Sequence, residues 1–334
     1  MSVINVGIVG ASGYTGLELV KILVNHPSFE LSYVSNSEGG MLLSELHPSL
    51  SGVYECKILK ADIDEMAEQC DLVFLALPHK TAMAYVKPLI SKGIKVVDLS
   101  ADYRLTQDVY EEFYCPHTDA PNLSHVVYGL PEIYREELKS AKLVANPGCF
   151  PTSAILGLLP FMDKRVKATP IIIDAKTGVS GAGKKLSEVT HFANVNDNAF
   201  AYNPLMHRHA PEIAQKLDID FDEVSFVPHL LPITRGMLSS IYIQVSGDFD
   251  AYKVLNEYYQ DELHVRVCKN PVDMKNVAGT NFCDIYVKQK GNTLFISSAI
   301  DNLLRGASSQ AVVNANIMMG LKESTGIPNI AYVP

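Results

Sequence analysis

The sequence predicts an α/β chain in two parts, a parallel sheet covered by helices followed by an α+β part with a mixed, largely antiparallel sheet. Short apolar runs alternate with helical patterns in the first half, which favours a parallel sheet. After residue 160 the strand-like runs have looser connections, which favours a mixed sheet. At 334 residues the chain is also long for one domain.

The elements follow from these patterns in chain order. Candidate strands of the first half cover residues 4–9, 30–34, 72–76, 96–99 and 143–145, and candidate helices cover residues 15–24 and 81–90. Later strands are predicted in the segments TPIIIDAKTGV, EVSFVPHLLP, MLSSIYIQVSG and TLFISSAID. Residues 302–323 carry apolar side chains near helical spacing and predict one long helix.

Composition excludes several classes of function. With 28 basic and 37 acidic residues the net charge is −9, which disfavours nucleic acid and anionic membranes as partners. No apolar run reaches the ~18 residues of a membrane helix, and the start, MSVINVGIVG, reads as a strand rather than a signal peptide. Six scattered cysteines form no disulfide or zinc pattern, so we expect a reducing, cytoplasmic setting.

The turn after the first strand predicts a dinucleotide site. Gly10, Gly13 and Gly16 are spaced as GxxGxxG at the start of the first helix. Small residues there let the backbone approach a pyrophosphate, and the helix N-terminus favours the anion. The alternative is a plain tight βα turn. Placed in the first βαβ unit, the pattern favours a Rossmann-type domain.

The end of the second strand bears on which dinucleotide binds. NAD-binding domains usually carry a carboxylate there for the ribose 2′-hydroxyl. This chain has Ser35, Asn36 and Ser37 instead, with Glu38 next and no arginine nearby. The absence of a carboxylate that would repel a 2′-phosphate favours NADP.

The segment NPGCFPT predicts a reactive cysteine. Pro147 and Gly148 form a turn, and Pro151 is tolerated in a first helical turn, so Cys149 would open a helix. Unpaired backbone N–H groups there favour a thiolate and an oxyanion. The alternative is a structural cysteine beside a bend.

The segment HRHAPEI supplies a proton partner for such a thiol. His207 and His209 titrate in a suitable range, and Pro211 would start a helix with Glu212 in its first turn. A polar loop is the alternative for this segment. Metal binding lacks a third ligand at a telling spacing, and no metal is expected.

Two arginines are candidates for binding anions. Arg104 in DLSADYRL follows a strand, and Arg235 in HLLPITRG lies near His229. Arginine binds phosphate or carboxylate through two hydrogen bonds, although each could equally be a surface residue. The segment GVSGAGKK matches GxxxxGK, but Lys185 stands where a P-loop has Ser or Thr, so the loop is expected to line nicotinamide or substrate instead.

Together these segments resemble one family, the N-acetyl-γ-glutamyl-phosphate reductases of arginine biosynthesis, which is related to aspartate-semialdehyde dehydrogenase. The resemblance covers nearly the whole chain through GASGYTG, FLALPH, DLSADYRL, NPGCFPT, TGVSGAGKK, HRHAPEI, HLLPITRG and DNLLRGASSQAV. Ser153 is the one departure, since the family usually has Ala or Gly there.

The resemblance implies a mechanism. Cys149 attacks the acyl phosphate of N-acetyl-glutamyl phosphate, phosphate leaves, and the thioacyl enzyme is reduced with hydride from NADPH to the semialdehyde. One histidine of the HRH segment carries the proton. His207 is the first candidate for this role and His209 is the second.

The resemblance also assigns further residues. Glu212 and Arg208 orient the histidine or contact substrate, and Arg104, Arg235 and Asn146 bind substrate. The expected cofactor contacts are Gly10, Ser12, Gly13, Tyr14, Thr15, Gly16, Ser35, Ser37, Leu77, Pro78, Ser180, Gly181, Ala182, Gly183 and Asn302.

The expected organisation is a dinucleotide-binding domain over residues 1–148 and 302–334, with the C-terminal helix packed back on it, and a catalytic and oligomerisation domain over 149–301. A homodimer or homotetramer is expected. Two rivals stay open: a reductase of a related acyl phosphate, carrier-bound aminoadipyl phosphate or aspartyl phosphate, and a non-catalytic NADP-binding regulator.

Overall fold

The chain, described by a computed structural model over residues 3–167 and 169–333, divides into two compact units. The first runs to Pro147 and adds Ala307–Ile327, and the second comprises Gly148–Gly306 and the residues from Pro328 onward. That the units act as separate cofactor and catalytic domains stays a prediction.

The first unit is built on a seven-stranded, entirely parallel sheet. Its strands are β1 (Ile4–Val9), β2 (Phe29–Asn36), β3 (Leu59–Lys60), β4 (Leu72–Leu75), β5 (Lys95–Asp98), β6 (Val127–Tyr128) and β7 (Leu143–Ala145). Their order is β3-β2-β1-β4-β5-β7-β6, so the order reverses between β1 and β4. Ligands of such sheets bind beyond the carboxyl ends of the strands at this reversal.

Helices connect these strands. They are α1 (Tyr14–Leu23), α2 (Leu43–Leu46), α3 (Ile63–Gln69), α4 (Met83–Ser91), α5 (Gln107–Phe113), α6 (Ala120–Leu123) and α7 (Pro131–Ser140). All four residues of β4 are buried, because helices cover both faces of the sheet.

The second unit has a seven-stranded mixed sheet. Its strands are β8 (Ile171–Gly178), β9 (Phe200–Ala201), β10 (Val224–Leu231), β11 (Met237–Gln244), β12 (Val265–Val267), β13 (Cys283–Lys290) and β14 (Thr293–Ile300). They are ordered β12-β13-β14-β11-β8-β10-β9, with only the β8–β10 and β12–β13 pairs parallel. The prediction of a parallel sheet in the first part of the chain and a mixed, largely antiparallel sheet in the second is confirmed.

One buried helix forms the centre of the second unit. The helices of the second unit are α8 (Cys149–Leu158), α9 (Phe192–Val195), α10 (Ala210–Leu217) and α11 (Ala251–Tyr259), and α8 is the buried one. Every residue of α8 after Cys149 is buried, and the helix packs on β11 and β14. The side chain of Ser153, the departure from the family pattern, contacts the hydroxyls of Ser239 and Ser298 at 2.9 and 3.1 Å.

The C-terminal helix α12 (Ser308–Met318) belongs to the first unit, where it packs against α1 and α7. The prediction of one helix over residues 302–323 was wrong at both ends. At the start, the buried Asp301 carboxylate accepts hydrogen bonds from the amides of Leu303 and Leu304, which holds a turn instead. At the end, Gly320 takes a positive φ of 73°, which terminates the helix.

Candidate active site

The glycine turn of the first unit fits a dinucleotide. Gly10 has a φ of 99°, and a Cβ there would lie 2.3 Å from the Ala76 carbonyl oxygen. A Cβ on Gly16 would lie 2.5 Å from the Gly10 oxygen, so this glycine allows the helix to pack closely on the turn. A Cβ on Gly13, in contrast, would meet no atom of the described residues within 4 Å. The space beside Gly13 therefore suits a ligand rather than the protein's own packing.

The start of α1 supports this fit. Gly13 is its N-cap residue and Tyr14 its first residue, and no described side chain caps the exposed amides. Tyr14 is 39% exposed, and Thr15 is half-buried. Leu77 and the exposed Pro78 follow β4, with the Leu77 methyl 3.5 Å from the position of a Gly10 Cβ. These residues can together hold a pyrophosphate at a helix N-terminus.

The residues predicted to contact the ribose, at the end of β2, differ in their exposure. The Ser35 hydroxyl is fully buried and donates to the Ile8 carbonyl at 3.2 Å, so it supports the sheet. Ser37 is exposed. The Asn36 amide donates to the Ser12 hydroxyl at 3.1 Å, which ties the end of β2 to the glycine turn.

Arg104 and Asn146 are buried in the first unit. Arg104, 5% exposed, donates from Nε to the Asn146 carbonyl and from Nη2 to the Leu99 carbonyl, both at 2.8 Å. The Asn146 amide donates to the Ala307 carbonyl at 3.1 Å and accepts from Asn314 at 3.0 Å. Both side chains therefore support the chain that leads to Pro147, and their contact with substrate stays a prediction.

In the second unit, Cys149 opens α8 as the sequence predicted. The N-cap Gly148 is extended, with φ −66° and ψ 153°, and Cys149 is half-buried. The amide of Gly148 donates to Glu212 Oε1 at 2.9 Å. Glu212 is 1% exposed and lies in the first turn of α10, which Pro211 helps to start. A buried carboxylate thus fixes the start of the helix that carries the thiol.

Two histidine rings lie beside that helix start. The rings of His207 and His209 each lie 5.8 Å from the ring of Phe150, which follows Cys149, and 4.8 Å from each other. His209 is the N-cap residue of α10. The HRH segment therefore lies beside the start of α8 within the second unit.

His207 is held as a neutral ring with a defined tautomer. Its Nδ1 accepts a hydrogen bond from the His209 amide at 3.1 Å, so the proton of the neutral ring is on Nε2. Burial, and then the charge of the exposed Arg208, lower the pKa of His207 to about 4. The ring packs 5.4 Å from that of Phe226 and 5.5 Å from that of Tyr202.

Tyr202 was missed by the sequence analysis. Burial, and then the negative charge of Cys149, raise the pKa of this phenol, which places it near the thiol. It stands three residues after the exposed residues 196–199, in no pattern that marks function.

Asn302 and the 180–183 loop form one hydrogen-bonded group. The Asn302 amide accepts from the Gly236 amide at 2.8 Å and donates to the Ser180 hydroxyl at 3.0 Å. Ser180, Gly181 and Ala182 lie in a short 3-10 helix, and Gly183 follows with φ 82°. Lys184 and Lys185 are exposed and start no helix, so the GxxxxGK match lacks the helix that a P-loop needs.

Arg235 neighbours this group. Its Nη1 lies 3.2 Å from the Asp301 carboxylate, and its guanidinium lies 5.8 Å from the Tyr332 ring. His229 is on β10, with Nδ1 3.1 Å from the Asp174 carboxylate. These contacts leave the assignment of Arg235 to substrate a prediction.

Gly306 packs directly against the nucleophile. A Cβ on this residue would lie 2.7 Å from Cys149 Cβ and 2.6 Å from the Asn302 carbonyl oxygen. Only glycine allows the turn after β14 to approach the start of α8 so closely. Sequence reasoning missed this residue as well.

Over residues 3–167 and 169–333, no three His, Cys, Asp or Glu side chains come together as a set that could hold a metal ion. Within the same residues, no helix is both long enough and apolar enough to span a membrane.

Family models place the chain in a class. The model of the semialdehyde dehydrogenase NAD-binding domain matches residues 5–141, and that of the semialdehyde dehydrogenase dimerisation domain matches residues 149–302. The glycine turn, the parallel sheet and the half-buried thiol at a helix start fit that class. The chain is therefore an oxidoreductase of the semialdehyde dehydrogenase type.

Curated relatives narrow the class. The chain is 77% identical, over the full length of both chains, to the N-acetyl-gamma-glutamyl-phosphate reductase of Sulfurimonas denitrificans. It is 54% identical, again over both full lengths, to the protein of that name from Wolinella succinogenes. The chain belongs to the N-acetyl-γ-glutamyl-phosphate reductase family.

Solved structures agree on the fold. An aspartate semialdehyde dehydrogenase II from Vibrio cholerae superposes with a TM-score of 0.71 at 15% identity, covering 96% of this chain and 99% of that chain. An aspartate semialdehyde dehydrogenase from Candida albicans, solved with NADP, gives 0.68 at 14% identity, covering 95% and 99%.

Proposed function

We propose that this chain reduces N-acetyl-L-glutamyl 5-phosphate to N-acetyl-L-glutamate 5-semialdehyde and phosphate, with NADPH as reductant and Cys149 as nucleophile. The observation that carries the proposal is the start of α8. There a half-buried thiol opens the helix, a buried carboxylate holds the preceding amide, and two histidines lie alongside. Full-length relatives at 77% and 54% identity support the choice of substrate.

Cys149 performs covalent catalysis. The helix N-terminus favours the thiolate, which attacks the acyl carbon. A C–S bond forms, the bond from that carbon to the phosphate oxygen breaks, and phosphate leaves. After reduction the C–S bond breaks, the aldehyde is released and the thiolate returns. The amides at the start of α8 are donors for the oxyanion that develops in each step.

The HRH segment handles the proton. The Nε2–H of neutral His207 can donate to the developing oxyanion, as its Nδ1 is already occupied by the His209 amide. His209, at the N-cap of α10, is the alternative candidate for this role. Glu212 acts as a positioning residue through the Gly148 amide, and Arg208 and Arg235 provide charge for the phosphate and carboxylate of the substrate.

The first unit holds the cofactor. Gly13 and the first amides of α1 suit the pyrophosphate, and Ser12 and Ser37 lie towards the ribose end. NADPH, when bound, supplies the hydride. We assign the Asn302 and 180–183 group to the nicotinamide end, where Asn302 keeps Ser180 and Gly236 in place.

A homodimer is the assembly we propose, formed by the open face of the second unit's sheet. Ile172, Tyr242 and Phe295 are register partners in a row across β8, β11 and β14. Ile172 and Tyr242 are 44% and 40% exposed, so two large apolar side chains of this row reach the surface. The matched dimerisation domain supports a second copy as occupant. Light scattering should show a dimer that Tyr242→Asp dissociates; a tetramer would add a second interface.

Adduct trapping tests the chemistry. The protein is mixed with freshly prepared N-acetyl-glutamyl phosphate without cofactor, quenched in acid, and analysed by peptide mass spectrometry. We expect an N-acetyl-glutamyl mass on Cys149 that neutral hydroxylamine removes, and none in Cys149→Ser. If aspartyl phosphate forms the adduct in preference to N-acetyl-glutamyl phosphate, the rival hypothesis of a reductase for a related acyl phosphate is favoured. Turnover by Cys149→Ser would contradict the mechanism, and no adduct or turnover with any acyl phosphate would favour a regulator.

A further inference from the structure

The second and third strands of the first unit end side by side. Asn36 is the last residue of β2, Lys60 is the last residue of β3, and the two are register partners in a parallel pair. Side chains alternate between the faces of a strand, so register partners of a parallel pair lie on the same face. The Lys60 side chain therefore leaves the sheet on the same face as that of Asn36.

On that face, the side chain of Asn36 contacts the glycine turn. The Asn36 amide nitrogen donates to the Ser12 hydroxyl at 3.1 Å, and its oxygen accepts from the amides of Glu38 and Gly39 at 2.9 and 2.6 Å. Asn36 is thereby fixed with its side chain against the glycine turn.

The loop after β2 also packs on Lys60. Gly39 has a φ of 70°, and a Cβ there would lie 2.5 Å from the Lys60 nitrogen. The Tyr33 hydroxyl donates to the Lys60 carbonyl at 3.1 Å. The backbone of Lys60 is thus held on both sides, and its side chain starts from a defined position beside Asn36 and Ser12.

The charge of Lys60 is available to a ligand. The residue is exposed, and its ammonium forms no ion pair with any residue in the described ranges 3–167 and 169–333. The carboxylate of Asp62, two residues on, is engaged as the N-cap of α3, where it accepts from the amides of Asp64 and Glu65. Glu38 is exposed as well, so it can turn towards solvent.

We propose that Lys60 binds the 2′-phosphate of NADP and makes this chain prefer NADP over NAD. In doubly wound sheets the 2′ position of the ribose lies at the end of the second strand. Asn36 is the last residue of that strand, and Lys60 is the last residue of the adjacent β3. A lysine ammonium is a strong point charge for phosphate, and the neutral Ser12, Asn36 and Ser37 offer it no competing carboxylate. The inference rests on the proposed function only for the identity of the cofactor.

Binding measurements test the inference without turnover. Dissociation constants of NADPH and NADH are measured by quenching of intrinsic tyrosine fluorescence, and those of 2′,5′-ADP and AMP by calorimetry, on the whole chain. The variants are Lys60→Gln and, as matched control, Lys87→Gln, which removes an exposed lysine from α4. Thermal unfolding without ligand confirms that both variants fold.

We expect Lys60→Gln to weaken the binding of NADPH and of 2′,5′-ADP about tenfold, as loss of one charge-assisted contact does. The affinities for NADH and AMP should stay unchanged. Lys87→Gln should alter none of the four. Unchanged 2′,5′-ADP binding by Lys60→Gln overturns the inference, and so does equal weakening of NADPH and NADH. If the wild-type protein itself prefers NADH, it is the cofactor of the proposed function that fails.

Discussion

Replacing Gly306 by alanine tests how closely the turn after β14 must approach the nucleophile. The added Cβ would lie 2.7 Å from Cys149 Cβ and 2.6 Å from the Asn302 oxygen, where ordinary contacts begin at 3.4 Å. The shortfalls are 0.7 and 0.8 Å. Neither neighbour is the flexible end of a side chain, so the start of α8 or the backbone of Asn302 has to move.

This displacement sets the expected size of the effect. Overpacking of a buried site costs about 1–3 kcal/mol of unfolding free energy. A shift that approaches 1 Å at a reacting group costs about a hundredfold in rate. We therefore expect Gly306→Ala to unfold at a lower urea concentration and to lose about a hundredfold in kcat.

The assay separates the site from the fold. Turnover is followed by NADPH absorbance, stability by urea unfolding, and the reactivity of Cys149 by iodoacetamide labelling with peptide mapping, since six cysteines are free. Gly157→Ala is the matched control in the same helix. Its Cβ would lie 3.1 and 3.2 Å from methyl groups of Ile241 and Ile296, and at an ordinary contact distance of 3.7 Å from the Ser298 Cβ. It should lose stability and keep turnover. A Gly306→Ala enzyme with wild-type kcat and stability would refute the reasoning.

Three further predictions follow from the geometry. Gly13→Ala should keep the stability of the ligand-free protein, because no described atom meets the new Cβ, yet weaken NADPH binding measured by fluorescence; a matching loss of stability would contradict this. Since the fold lowers the pKa of His207 from 6.5 to about 4, neutral His207 stabilises the protein above pH 6.5, and this contribution is lost as the pH falls towards 4. Between pH 7 and pH 4, the free energy of unfolding measured in urea should therefore fall by up to roughly 3 kcal/mol less in His207→Gln than in wild type. Equal losses in the two proteins would exclude the effect. Glu212→Gln should cost about 1–3 kcal/mol, since the Gly148 amide loses a charged acceptor, and unchanged urea unfolding would count against that hydrogen bond.

Local patterns predicted the centre of the fold well. The bounds of β1 and β7 were predicted to the residue, and α1 to within one residue at each end, because apolar spacing and flanking glycines define these elements locally. Strands of two residues, such as β3, carry no period and exist only through their pairing, so no sequence pattern could reveal them.

The site was predictable where it depends on backbone position. The Pro-Gly turn placed Cys149 at a helix start, and Pro211 placed Glu212 in a first turn. Sequence could not show which polar side chains turn inward. Arg104 follows β5 and Ser35 lies near the end of β2, as ligand-binding residues do, yet each donates to a backbone carbonyl within the first unit. Such choices depend on distant segments that the local sequence does not contain.

The position of α12 affects how the chain is made. All eleven residues of this helix are buried in a unit whose other segment ends at Pro147. During synthesis the ribosome therefore releases the first 147 residues well before the helix that covers them. The apolar surfaces of α1 and α7 stay open to water throughout translation of the second unit. A nascent chain stopped before Ser308 would be a substrate for chaperones and proteases, even though both of its sheets are complete.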